Sequence, residues 1–75
     1  ASKNNYEKAA ELYKKAAHVS KSDVLNSDYL LHAGINYLNA GMKKDAKEMF
    51  DLIKKDYNTS TAFREVNKYL AQVEE

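Results

Sequence analysis

Where helices can stop is the main constraint on this chain, because it holds two glycines and no proline. Gly34 and Gly41 stand seven residues apart in AGINYLNAGMKKDAKEMF, residues 33–50, which otherwise spaces its apolar residues at helical intervals. A glycine in a helix interior costs about 0.5–1 kcal/mol relative to alanine. Two of them so close together call for a reason in packing or in a turn. No segment shows the period-two alternation of a half-buried strand, so the expected fold class is all-α.

The spacing predicts four helices. In the first, from about Asn5 to Val19, Tyr6, Ala9, Ala10, Tyr13, Ala16 and Ala17 form one stripe. Asn4 is the expected N-cap, with Glu7 completing a capping box. SKSDVLNSD is polar and rich in capping residues and reads as a loop. The second helix runs from about Asp28 to Ala40, capped by Ser27 or Asn26. Leu30, Gly34, Tyr37 and Leu38 mark one face, and Leu31, Ile35 and Leu38 a neighbouring one. An apolar arc this wide predicts contacts on more than one side. Gly41 follows it as a left-handed C-terminal glycine. The third helix, about Met42 to Tyr57, aligns Met42, Ala46, Met49, Phe50, Ile53 and Tyr57. Asn58, Thr59 and Ser60 supply a break and a cap before the fourth, about Thr61 to Val73, with Phe63, Val66, Tyr69, Leu70 and Val73 on one face.

The chain also repeats itself. A shift of 37 residues brings Ala9 onto Ala46, Glu11 onto Glu48, Leu12 onto Met49, Tyr13 onto Phe50 and Ala16 onto Ile53. Leu30, Gly34, Tyr37, Gly41, Ala46, Phe50 and Ile53 together resemble the tetratricopeptide repeat, a helix–turn–helix unit of about 34 residues. In that pattern a small residue on each helix lets two backbones approach, and an aromatic fills the space between them. The likeness covers residues 27–57 well and 4–17 in part. It departs where Asn58 stands near the usual proline, where the linker stretches the spacing to 37, and in the fourth helix, which lacks the small–aromatic code. The resemblance implies a right-handed helix–turn–helix solenoid of about one and a half repeats plus a cap. Residues 1–20 would be the second helix of a preceding repeat, 27–58 one full repeat and 59–75 the capping helix, all one domain. Without the resemblance, Gly34 and Gly41 also fit a kink and a C-cap in an ordinary antiparallel four-helix bundle.

Composition excludes more than it suggests. Twelve Lys/Arg balance eleven Asp/Glu, which gives no electrostatic case for nucleic acid or an anionic membrane surface. No apolar run approaches the roughly 20 residues of a membrane span, and no stretch reads as a signal peptide. There is no cysteine to form a disulfide or a thiolate metal site. His18 and His32 lack the short spacing of a metal pair. Asp45, Glu48 and Asp51 interleave with lysines, as on a solvated helix face. No histidine is placed to activate a serine or threonine, and no glycine-rich phosphate loop occurs. The expectation is therefore no enzyme, no cofactor and no metal.

What the resemblance implies instead is a protein–protein scaffold whose groove holds a peptide or a partner helix. By position Asp28, Leu31, His32, Ile35, Leu38 and Asn39 would line that groove. Leu31 and Ile35 stand where carboxylate-clamping relatives carry basic or amide side chains, so an apolar, helix-binding groove is expected. The alternative is a structural end-cap or homo-oligomerisation segment, with Ala9, Tyr13 and Ala17 on the first helix left open to a second copy. The wording is similar to longer bacterial tetratricopeptide proteins, some anchored in the inner membrane and facing the periplasm. The likeness implies a soluble C-terminal part of such a protein.

Overall fold

Each of the four apolar stripes becomes a helix. The structure is a computed structural model that describes residues 3–73 and, over them, is all-α. The helices are α1 (Lys3–Val19), α2 (Asp23–Asn39), α3 (Lys43–Asp56) and α4 (Thr61–Val73). The outermost residues of the expected domain, 1–2 and 74–75, lie outside the described residues. Asn4 is inside α1 and not its cap, so the expected capping box with Glu7 is not formed.

The largest correction is at the start of α2. The helix begins at Asp23, five residues before the expected start, and its N-cap is Ser22 in place of Ser27 or Asn26. Ser22 Oγ accepts a hydrogen bond from the Leu25 backbone N–H at 3.3 Å. Asn26 and Ser27, read as loop residues because they are polar, are buried in the first turns of the helix. Their side chains find partners there. Asn26 Nδ2 donates to the Ser20 carbonyl at 3.2 Å and to the Tyr57 hydroxyl at 3.3 Å. Ser27 Oγ donates to the Val24 carbonyl at 2.9 Å. Propensity favours these residues at caps, but a buried partner can hold them inside a helix. Asn26 thereby ties the α1–α2 turn to the C-terminal end of α3.

The α2–α3 turn is as expected. Gly41 has φ 81°, in the left-handed region. The Met42 N–H reaches back to the Tyr37 carbonyl at 2.8 Å and the Gly41 N–H to the Leu38 carbonyl at 3.0 Å. These are the two bonds of a Schellman motif, which satisfies carbonyls the helix end would otherwise leave unpaired. α4 is capped by Ser60, whose Oγ accepts from the Phe63 N–H at 3.1 Å and donates to the Tyr57 carbonyl at 2.7 Å.

Gly34 answers to packing. A Cβ built on it would overlap Cε1 of Phe50 and lie 2.7 Å from Cζ and 2.9 Å from Cδ1. The ring of α3 therefore rests on bare α2 backbone. Its other neighbour is Tyr69 of α4, with ring centroids 5.6 Å apart and planes 20° from parallel. Phe50 thus joins three helices, and around it Ala46, Met49, Ile53, Val66 and Leu70 close the core. Full burial of each large apolar side chain stabilises by about 1.5–3 kcal/mol, which outweighs the helix cost of one glycine. α2 packs against each of the other three helices, whereas α1 and α3 run side by side over it with their backbones apart.

Gly34→Ala should lose about 1–3 kcal/mol in urea denaturation, despite alanine's better helix propensity, and Gly34→Leu more. Combining Gly34→Ala with Phe50→Leu should lose less than the two single losses together, because the smaller side chain vacates the overlap. Full additivity would mean that the two residues do not meet. Gly41→Ala should cost about 1 kcal/mol through its left-handed backbone.

Candidate functional site

α2 buries so much of its circumference that only a strip is left to face outward. Of the residues expected in a groove, Asp28, His32 and Asn39 are exposed, while Ile35 and Leu38 are half-buried against the core. Leu31 is a correction: at 6% exposure it belongs to the core and cannot line a surface. On the helix wheel it sits beside Gly34 and Ser27, on the buried side of the arc. The apolar content of the strip is therefore Ile35 in its middle and, in the first turn of α2, the exposed Val24 (71%) and Leu25 (47%). The seven expected packing positions divide differently. Leu30, Gly34, Tyr37, Ala46, Phe50 and Ile53 are all buried, and Gly41 is exposed in its turn.

One side of the strip is held by aromatic contacts. His32 stacks on Tyr13 of α1, with centroids 5.1 Å apart and planes 27° from parallel. Tyr29 lies 6.4 Å from the same ring. Among the described residues no three His, Cys, Asp or Glu side chains cluster as a metal would need. No described helix is long and apolar enough to cross a membrane.

The opposite side of α2 holds a feature that sequence reading missed. Between α1 and α3 lies a cavity of about 210 Å³, floored by Leu30 and Met49 and bordered by Lys14, His18, Leu52 and Tyr57. Leu52 is 38% exposed and falls off the main α3 stripe. The signal was a leucine on an otherwise polar face, too common on surfaces to single out. At the other end of the same gap stands Tyr37, 5% exposed. Burial pushes its phenol pKa above the ordinary 10.0, and the carboxylates Asp45, Glu11, Glu7 and Glu48 reinforce the shift. Two of these belong to α1 and two to α3, so the gap is acidic at that end.

No family model, curated protein or solved structure matches this chain. The structure offers apolar and aromatic surfaces.

The Tyr37 environment gives a pH dependence. Its folded pKa is raised, so its stabilising contribution is complete below the unfolded value near 10.0 and is lost as pH rises through the folded value. Thermal melts between neutral pH and pH 11 should show Tyr37→Phe losing less stability above pH 10 than the parent chain. Parallel curves would place the phenol in an ordinary solvated setting.

Proposed function

We propose that this domain is a non-catalytic protein–protein interaction module of tetratricopeptide type, which binds a peptide or partner helix along the exposed strip of α2. The observation that carries this reading is a repeated ring contact. Tyr13 stacks on His32, and Phe50 stacks on Tyr69, so both members of the second pair lie 37 residues beyond those of the first. That is the interval of the sequence repeat. The α1–α2 junction and the α3–α4 junction are thus built alike, which supports successive helix pairs stacking in one direction over a closed four-helix bundle. The packing of α2 against α4 as well as α3 also favours stacking, because it joins the first helix of one pair to the next.

In this arrangement α2 presents Asp28, His32, Ile35 and Asn39 to a partner. The half-buried Ile35 and the exposed Val24 and Leu25 among polar groups suit a helix or extended segment with a short apolar face and several hydrogen-bonding groups. The exposure of Leu12 on α1 favours a second reading, a structural segment of a larger helical array or oligomer. Neither reading needs a cofactor, and both suit a water-soluble domain, including one held on the periplasmic face of a membrane by an anchor elsewhere.

Selecting peptides against the folded domain from a displayed library tests the assignment. Binders should perturb the amide resonances of Asp28, His32, Ile35 and Asn39. They should also weaken by about tenfold, or 1.4 kcal/mol, on the double substitution Asp28→Arg and Asn39→Arg, which leaves the core untouched. Binders that map elsewhere and ignore this variant would remove the α2 strip as the site.

A further inference from the structure

α1 and α3 are the same helix written twice, yet only α3 is covered. Under the 37-residue shift, Ala9, Leu12, Tyr13 and Ala16 fall on Ala46, Met49, Phe50 and Ile53. The α3 set is buried throughout against α2. In α1, Leu12 is 67% exposed and the other three are half-buried. The difference does not arise where each helix meets its successor, since Tyr13 stacks on His32 of α2 as Phe50 stacks on Tyr69 of α4. What α3 has, and α1 lacks, is a helix on the other side of the aromatic ring. For Phe50 that helix is α2, which brings the bare backbone of Gly34 against the ring.

We propose that the Ala9–Leu12–Tyr13–Ala16 face of α1 is a docking site for a helix of α2's chemistry supplied by a partner protein. The duplicate specifies the occupant. It is an amphipathic helix with glycine or alanine set over Tyr13, so that the backbone can close on the ring as α2 closes on Phe50. Charge narrows it further. α2 carries Asp23 and Asp28 and no lysine or arginine. Beside Leu12 on the outer side of α1 stand the exposed Lys8 and Lys15, each one helical turn from it, against one exposed carboxylate, Glu11, so the surroundings of Leu12 carry a net positive charge. An acidic helix is therefore matched to this face and a basic one opposed by it. The proposal rests on the interaction-module reading and adds a second surface to it, separate from the strip on α2.

The probe is the chain's own α2, made as a synthetic peptide of residues 22–42 and titrated into the ¹⁵N-labelled intact domain. The expected result is a set of shifts centred on Ala9, Leu12, Tyr13 and Ala16. The same peptide with Gly34→Leu should bind at least about tenfold more weakly, since the ring no longer has bare backbone to meet. Leu12→Asp in the domain should also lose about tenfold or more while its melting curve stays that of the parent, because Leu12 is already largely exposed. Lys8→Glu with Lys15→Glu provides an independent second variant, which should weaken binding most at low salt.

Several outcomes would overturn the proposal. These are no binding, binding indifferent to Leu12→Asp, or shifts at Met49 and Phe50 showing that the peptide has displaced the domain's own α2. Dimerisation of the chain through the same face, with the peptide unable to compete, would also overturn it by making a second copy the occupant. Shifts on the α2 strip that vanish with Asp28→Arg and Asn39→Arg would remove this site but leave the module reading intact.

Discussion

The contact of the Phe50 ring with the backbone of Gly34 is the interaction on which the rest of the structure depends. It sets how near α3 can come to α2. That distance decides whether Ala46, Met49 and Ile53 close over Leu30 and Tyr37 or leave a gap. The opposite edge of the same ring receives Tyr69, so the placing of α4 follows from it as well. A glycine in mid-helix forfeits about 1 kcal/mol of helix propensity. Removing a buried phenylalanine costs about 3–5 kcal/mol. The local loss is accepted because the tertiary gain is several times larger, which is also why propensity alone could not place this residue.

Polar chemistry sets the other boundary of the fold. Asn26 links the Ser20 carbonyl to the Tyr57 hydroxyl and so joins the α1–α2 turn to the end of α3. Its Oδ1 is buried without a partner among the described residues. A buried amide satisfied on one side only contributes little net stability, but it makes alternative registers costly, because any slip of α2 would also strand the donor group. Gly34 and Asn26 thus divide the work: one fixes the spacing of α2 and α3, the other their alignment along the axis.

Most of the architecture was legible in the sequence because it rests on apolar period, and period survives without tertiary information. The extents of α1, α3 and α4 followed from it, whereas the Gly41 turn came from cap chemistry and the packing roles of Gly34 and Phe50 from the tetratricopeptide resemblance. The start of α2 came from none of these. Ser22, Asp23, Asn26 and Ser27 are cap and turn formers, and nothing local says that two of them will be buried with partners supplied by Ser20, Val24 and Tyr57. Asn26 and Tyr57 are 31 residues apart, so their hydrogen bond is invisible until the helices are packed. Leu31 was misjudged for a related reason. A residue at the edge of a wide apolar arc is core or surface according to how far the neighbouring helices reach round, and α2 has three of them. The cavity by Leu52 is a property of two helices whose backbones stay apart, and so has no signature in either one.

Shape then links stability to recognition. The Cα envelope measures 31 × 27 × 16 Å, so in its thin direction few side chains are screened from water by more than one helix. A chain of this length buries only about 60% of its unfolded surface, which leaves little stability in reserve. α2 is covered from several directions, but α1 is held on the α2 side alone. Any helix that settles on its outer face binds the folded domain and not the unfolded chain. It raises stability in proportion to the logarithm of its concentration over Kd. In a domain this thin, the surface best suited to a partner is also the one whose filling would most strengthen the fold.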